Sequence, residues 1–225
     1  MKILAIETTE NVGSVAVAED GDLLFQQGLD RRLRSAQSLA PALCEVLDRA
    51  GWEATDLGLV AVSVGPGSFT GLRVGVTTAK TLAYCAGADI LGIDTLETIA
   101  AGVPAECRRV AVALDAQRGQ VAAAVFSRRD DGWFDWEVPM RLVDVDAWLA
   151  ELPEEIAVAG PVLRKLADSL PKQVKVLPSE VWAPTAASVA RLAARDFAAG
   201  RRDDLWKLVP RYSRRSAAEE RLDRS

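Results

Sequence analysis

One pattern occurs twice in this chain, and it limits the fold more than any other feature. An apolar run ending in a carboxylate, Ile3 to Glu7, leads through a turn containing Gly13 into a strand of small residues, Val15 to Ala18. The dipeptide Asp20-Gly21 follows. Further on, Val110 to Asp115, a turn containing Gly119, the small residues Val121 to Phe126 and Asp131-Gly132 repeat the sequence of events. Alternating small and β-branched runs joined by Asp-Gly read as tight hairpins. A duplicated unit of this kind predicts an α/β fold of two lobes meeting at a cleft, and 225 residues suffice for both. The boundary falls near Val103 to Arg109. Residues 1–105 then form one lobe, 106–200 the other, and the charged tail from Arg201 packs loosely.

Between the repeats the period changes. Leu39, Leu43, Val46, Leu47 and Ala50 have helical spacing with Gly51 as a stop, so 35–50 reads as a helix that begins near Ser38 or kinks at Pro41. Strands are expected at 23–27, 57–64, 90–93, 156–160 and 174–177. Helices are expected at 69–86, 95–101, 144–151, 161–170 and 185–199.

Some chemistry is excluded outright. There is no histidine, which removes Ser-His-Asp triads and every His-based metal site. The net charge of -5 argues against a dominant phosphate-gripping surface, which needs a basic face. Cys44, Cys85 and Cys107 lack metal or disulfide spacing and read as buried, apolar-like thiols. The apolar stretch Ile3 to Ile6 is far too short for a secretory leader or a span, and no later segment reaches the apolar length needed to span a bilayer, so a cytoplasmic protein without membrane contact is expected.

The segment Gly65-Pro66-Gly67-Ser68-Phe69-Thr70-Gly71-Leu72-Arg73-Val74-Gly75 follows a strand and opens a helix. Backbone N–H groups there could meet phosphate, yet the spacing is neither GxGxxG nor GxxxxGK[ST]. More telling, Gly67, Gly71, Gly75, Ala79 and Ala83 recur every four residues. Each internal helical glycine costs about 1 kcal/mol relative to alanine, so this smooth strip needs a packing reason: the chain's own sheet, or a helix of another subunit.

These segments carry a resemblance. ILAIETT, SVAVAEDG, SxxSLAPAL at 35–43, GPGSFTGLRVG at 65–75, DAQRGQVAAAVF at 115–126 and PRYSR at 210–214 resemble the TsaB (YeaZ-like) family across nearly the whole chain. The resemblance implies a two-lobed fold of the actin, sugar kinase and Hsp70 type. It also implies a non-catalytic subunit that pairs with the paralogue TsaD, which threonylcarbamoylates N6 of adenosine 37 in tRNA, together with the ATPase TsaE. TsaD carries an HxxxH metal motif where this chain has Ser35-Ala36-Gln37-Ser38-Leu39, so neither catalysis nor a metal is implied here. The family's dimer contact is a four-helix bundle of the first two long helices. It maps onto Ser35, Leu39, Leu43, Val46 and Leu47 and onto Gly67, Gly71, Gly75, Ala79 and Ala83, which favours the intersubunit reading of the strip. A homodimer in isolation fits the same surface, and tRNA is met only through the complex. Glu7, Thr8, Thr9, Gly65, Ser68 and Asp115 stand where nucleotide loops would be, as vestiges; no cofactor is expected, and a nucleotide at the TsaD contact is left open. Two departures are Glu7 in place of the more usual Asp and DAQRGQ at 115–120.

The rival readings are a small-metabolite kinase of the same superfamily, using Asp115 with Thr8 and Thr9, and a glycoprotease-like peptidase, for which only a Ser-Lys arrangement through Lys80 would remain. Lys80 reads as a solvated helix residue, Arg31-Arg32-Leu33-Arg34 as a solvated loop, and Trp133, Trp136, Trp148, Trp182 and Trp206 as lobe packing.

Overall fold

The computed structural model describes residues 1–30 and 35–214, apart from the side chains of Ser35 and Ala36; the basic cluster at 31–34 lies outside the described residues. Strands β1 (Lys2–Glu7), β2 (Ser14–Glu19), β3 (Asp22–Gly28), β4 (Leu59–Gly65) and β5 (Asp89–Asp94) form one sheet in the order β3-β2-β1-β4-β5. β1, β2 and β3 make an antiparallel meander, while β1, β4 and β5 run parallel. The β2–β3 turn places Asp20 at φ 53° and Gly21 at φ 96°, the left-handed pair that the Asp-Gly signal predicts.

Parallel strands need cover on both faces, and side-chain size decides which helix lies where. Leu4, Ile6, Val15, Val17, Val60 and Val62 point to one face, beneath α1 (Ser35–Ala50) and α2 (Phe69–Ala86). Ile3, Ala5, Ala16, Ala18, Leu59 and Ala61 point to the other, where alanines let a helix approach closely. The short helix α3 (Thr95–Ala101) then leads to the second lobe.

The second sheet repeats the first. β6 (Arg109–Asp115), β7 (Gln120–Arg128), β8 (Phe134–Asp144), β9 (Ala157–Ala159) and β10 (Lys175–Val176) have the order β10-β9-β6-β7-β8, with the same antiparallel and parallel pairings. The predicted duplication is thus present, with two five-stranded mixed sheets. Its helices are shorter: α4 (Val145–Glu151) covers one face and α5 (Leu163–Leu166) is a single turn where a longer helix was expected.

Two boundary expectations are corrected. The last helix, α6 (Ala186–Ala198), was placed in the second lobe but packs on the first sheet, with Ala186, Val189, Ala190, Leu192 and Ala193 buried against Ile3, Leu59 and Leu91. The reason is the bare second face of that sheet, which no other long helix covers. The tail at 201–225 was expected to pack loosely, yet 201–214 forms a strap; 215–225 lie outside the described residues. Asp203 N donates to Ile90 O (3.3 Å), Gly92 N donates to Asp203 Oδ2 (2.8 Å) and Arg211 N donates to Val64 O (2.6 Å). β5 is an edge strand, and the strap satisfies groups it would otherwise present to solvent. Trp206, expected to pack within a lobe, lies on this strap and is 74 % exposed. By contrast Trp148 is buried and Trp182 Nε1 donates to Leu177 O (2.7 Å).

Candidate partner-binding face and interlobe cleft

The small-residue strip faces inward. A Cβ at Gly71 would lie 1.8 Å from the carbonyl oxygen of Thr8, one at Gly75 2.2 Å from Thr8 Oγ1, and one at Gly67 2.5 Å from Thr9 Cβ. Ala79 and Ala83 are likewise buried. The partner of the glycines is therefore the chain's own turn after β1 and that of the alanines its own core under the first sheet, and the intersubunit role expected for Gly71, Gly75, Ala79 and Ala83 is corrected. Thr8 Oγ1 donates to Gly71 O (2.8 Å) and Ser68 N donates to Thr9 O (2.8 Å), fixing α2 on that turn. Ser68 also caps the helix, accepting from Gly71 N (3.2 Å). On α1 the same correction applies. Leu39, Leu43, Val46 and Leu47 are core residues, because the apolar stripe of an amphipathic helix turns to its own sheet first. The side chain of Ser35 lies outside the described residues.

What the two helices leave outward is a different set. The exposed residues are Gln37, Ala40, Pro41, Cys44, Glu45, Asp48 and Arg49 on α1 and Phe69, Thr70, Arg73, Thr77, Thr81, Tyr84 and Cys85 on α2; among them Ala40, Pro41, Cys44 and Asp48 with Thr70, Thr77, Thr81 and Cys85 make an outer stripe, with Val74 and Thr78 half-buried beside them. Along α2 this stripe carries no charge. Sequence reasoning missed it, although β-branched Val74, Thr77, Thr78 and Thr81 are poor choices for a merely solvated helix face. Cys44 and Cys85, expected to be buried, are exposed, and Cys107 is half-buried with its thiol pushed up by burial. Lys80 flanks the stripe and is not simply solvated: its Nζ donates to Leu208 O (3.1 Å) and Trp206 O (3.3 Å) of the strap.

Between the lobes lies a cleft of about 790 Å³. Of the six vestigial-loop residues, Thr9, Ser68 and Asp115 reach its wall; Glu7, Thr8 and Gly65 do not. Glu7 is fully buried. Its Oε1 accepts from Thr9 N (2.5 Å) and Thr9 Oγ1 (2.6 Å), and its Oε2 accepts from Ser63 Oγ. Burial pushes its carboxyl up, against the pull of those hydrogen bonds. Glu7 therefore holds the end of β1 and is turned away from the cleft. Gly65, at φ 116°, has Arg211 O 2.2 Å from where a Cβ would be, so it makes room for the strap.

The cleft carboxylates are both engaged. Arg164 reaches across the lobes to Glu10 (3.1 Å) and Lys165 pairs with Asp115 (2.5 Å). Partial burial raises the Asp115 carboxyl, but Lys165 and the Gln117 amide outweigh it and the net shift is downward. A paired, ionised Asp115 is a poor general base. Among the described residues no three His, Cys, Asp or Glu side chains converge as a metal site would require. At the end of β5, Asp94 caps α3 by accepting from Leu96 N (2.8 Å), and burial pushes its carboxyl up to about 6.

Known proteins match this architecture along its length. The family model described as TsaD, tRNA N6-adenosine threonylcarbamoyltransferase, matches residues 33–219. The tRNA threonylcarbamoyladenosine biosynthesis protein TsaB of Escherichia coli K12 is 31 % identical over 228 residues, covering 99 % of this chain and 98 % of that protein. The chain belongs to the TsaB family. The TsaB protein of Bacillus subtilis 168 is 32 % identical, with 97 % and 96 % of the two chains covered. Among solved structures, YeaZ from Pseudomonas aeruginosa superposes with a TM-score of 0.82 at 23 % identity, over 94 % of this chain and 99 % of that one. That likeness shows the fold, a two-lobed α/β architecture with a five-stranded mixed sheet in each lobe. The matched TsaB proteins and this chain are of nearly equal extent, so strap, lobes and helices all fall inside the family's common length.

Proposed function

We propose that this TsaB-family chain is the non-catalytic partner of TsaD in threonylcarbamoylation of N6 of adenosine 37 in tRNA. In this reading it acts in the cytoplasm with TsaE and docks on TsaD through the outer stripe of α1 and α2. The observation that carries the reading is that stripe. Along α2 it is an uncharged helix surface, with Asp48 the one charged member on α1, on a chain that is 26 % charged, in a family whose wider model is the transferase itself. Uncharged, small and β-branched side chains let a partner helix approach without stranding an ionised group. The engaged carboxylates of the cleft support the non-catalytic part. They also weigh against the kinase reading, which needs Asp115 free. No cofactor is required.

The test is reconstitution. Modified tRNA is measured in a mixture containing TsaC, TsaD, TsaE, ATP, threonine and bicarbonate, with and without this chain. Modification that depends on the chain and survives Asp115→Asn is expected. Modification independent of the chain refutes the subunit role, and loss on Asp115→Asn with TsaD binding intact refutes the non-catalytic role. Alkylation of the three thiols locates the contact: Cys44 and Cys85 become protected when TsaD is added, while Cys107 reacts as before. Equal protection on concentrating the chain alone would instead mark the surface as a homodimer contact.

A further inference from the structure

The strap and the flank of α2 that holds it build a surface the outer stripe does not account for. Residues 201–214 carry five cations, Arg201, Arg202, Lys207, Arg211 and Arg214, against Asp203 and Asp204, in a chain whose net charge is -5. Arg201, Arg202 and Lys207 have carboxylate partners. Arg214, together with Arg73 and Lys80 on α2, has no carboxylate within ion-pair distance among the described residues, and Arg211 makes no close ion pair but lies near enough to Asp94 for its charge to pull that carboxyl down. Arg73 lies over the Phe69 ring (3.8 Å) and its Nε donates to Tyr212 Oη (3.1 Å). Arg214 donates to Gln120 of the second lobe, and its Nε is buried without a hydrogen-bond partner.

Aromatic rings alternate with these cations. Phe69 and Tyr212 stack at 4.6 Å, and Tyr84 meets Trp206 edge to face at 5.7 Å. Tyr84 is 66 % exposed, Trp206 74 % and the neighbouring Val209 62 %. Sequence reading could not find this surface, because Arg73 and Arg211 lie far apart in the chain and the overall charge is acidic. The fold alone brings them together.

We infer that this strap-and-helix surface binds RNA at an unpaired loop. Guanidinium and ammonium groups without a close carboxylate partner, such as those of Arg73 and Lys80, suit phosphates, which release counterions on contact. Exposed aromatic faces suit bases that are splayed out of a helix, as loop bases are and duplex bases are not. A protein partner would need carboxylates opposite each cation to avoid burying them unpaired. The choice of RNA among polyanions rests on the proposed role in tRNA modification. The surface lies on the strap side of α2 and borders the outer stripe, with Arg73 and Tyr84 one helical turn from Thr77 and Thr81.

The experiment uses the full chain, alone and mixed with TsaD. The probes are a fluorescein-labelled RNA stem–loop and a fully paired RNA duplex of the same length, read by anisotropy across a salt series. Arg73→Glu and Arg211→Glu are each expected to weaken stem–loop binding about tenfold and to lower the salt slope by about 1. Trp206→Ala is expected to weaken stem–loop binding roughly tenfold and to leave duplex binding unchanged. Lys172→Glu, on an exposed loop before β10, changes net charge equally and should have no effect. Sizing the TsaD mixture separates the two proposals. If the heterodimer forms with every variant and RNA affinity falls as stated, the inference holds. If RNA affinity falls no more than with Lys172→Glu, it is overturned while the docking proposal stands. If Arg73→Glu or Arg211→Glu abolishes the heterodimer, the surface is a protein contact and the inference is overturned. If no heterodimer forms even with the unaltered chain, the docking proposal fails, and the chain-alone titration still decides the RNA surface.

Discussion

Replacing Gly75 by Ala separates the inward reading of the small-residue strip from a partner-facing one by the sign of its effect. In an open helix interior the change stabilises by about 1 kcal/mol. Here the new methyl would lie 2.2 Å from Thr8 Oγ1, more than 1 Å inside an ordinary carbon–oxygen contact of about 3.3 Å. Thr8 is buried and its hydroxyl donates to Gly71 O. Turning it aside breaks that bond and leaves a buried hydroxyl unpaired, at a cost of about 1–3 kcal/mol, and overpacking adds about 1–3 more. Against the helical gain, a net loss of about 2 kcal/mol remains, or a fall in Tm of roughly 4–8 °C for a chain of this size. Thr8→Ala removes the clashing atom and leaves Thr8 Cβ at 3.5 Å, so the double variant should be no less stable than Thr8→Ala alone. The coupling, about 2 kcal/mol, is read from thermal and urea unfolding of the four proteins. A Gly75→Ala protein that melts higher than the parent, with no coupling to Thr8, would refute the reasoning. For the same cause, a bulky residue at 75 tests folding rather than docking.

Other outcomes follow from the same structure. Leu208→Ala, which trims a strap residue packed on the first core, should cost about 2 kcal/mol and speed proteolysis of the tail; unchanged melting would mean the strap contributes no packing. Asp94 is raised from 3.8 to about 6, so the folded state binds its proton more tightly than the unfolded one. Stability from this group therefore falls as pH rises from about 4 to about 6 and is level above. Asp94→Asn, which keeps a capping side chain, should flatten that window in urea titrations, and a persisting slope would assign it elsewhere. Asp115→Asn breaks an exposed pair with Lys165 and should change stability by less than about 1 kcal/mol.

The duplication was legible because hairpin signals are local: Asp20-Gly21 and Asp131-Gly132 mark the same turn in each lobe. Where α6 and the strap go was not legible, since their targets, the alanine face of β1 and the edge of β5, exist only once the first sheet has formed. The strip at Gly67, Gly71 and Gly75 was rightly seen as a packing surface and wrongly given an external partner. Its spacing is the same whether the other side is a foreign helix or the turn at Thr8 and Thr9. Glu7 misled in a similar way, because a carboxylate at a strand end looks alike in sequence whether it faces a cleft or closes a buried hydrogen-bond set with Thr9 and Ser63. The outer stripe of α2 was missed because threonines on a helix read as solvated until their neighbours are known to be uncharged.

The most direct test of the account is Thr77→Arg at the centre of that stripe. The position is exposed and arginine is the better helix former, so the isolated chain should melt within about 0.5 kcal/mol of the parent. Mixed with TsaD from the same organism and sized by light scattering, the parent chain is expected to give a heterodimer and Thr77→Arg to give separate monomers. A heterodimer that forms undiminished with arginine at 77 would contradict the account, because the outer stripe of α1 and α2 would then not be the contact.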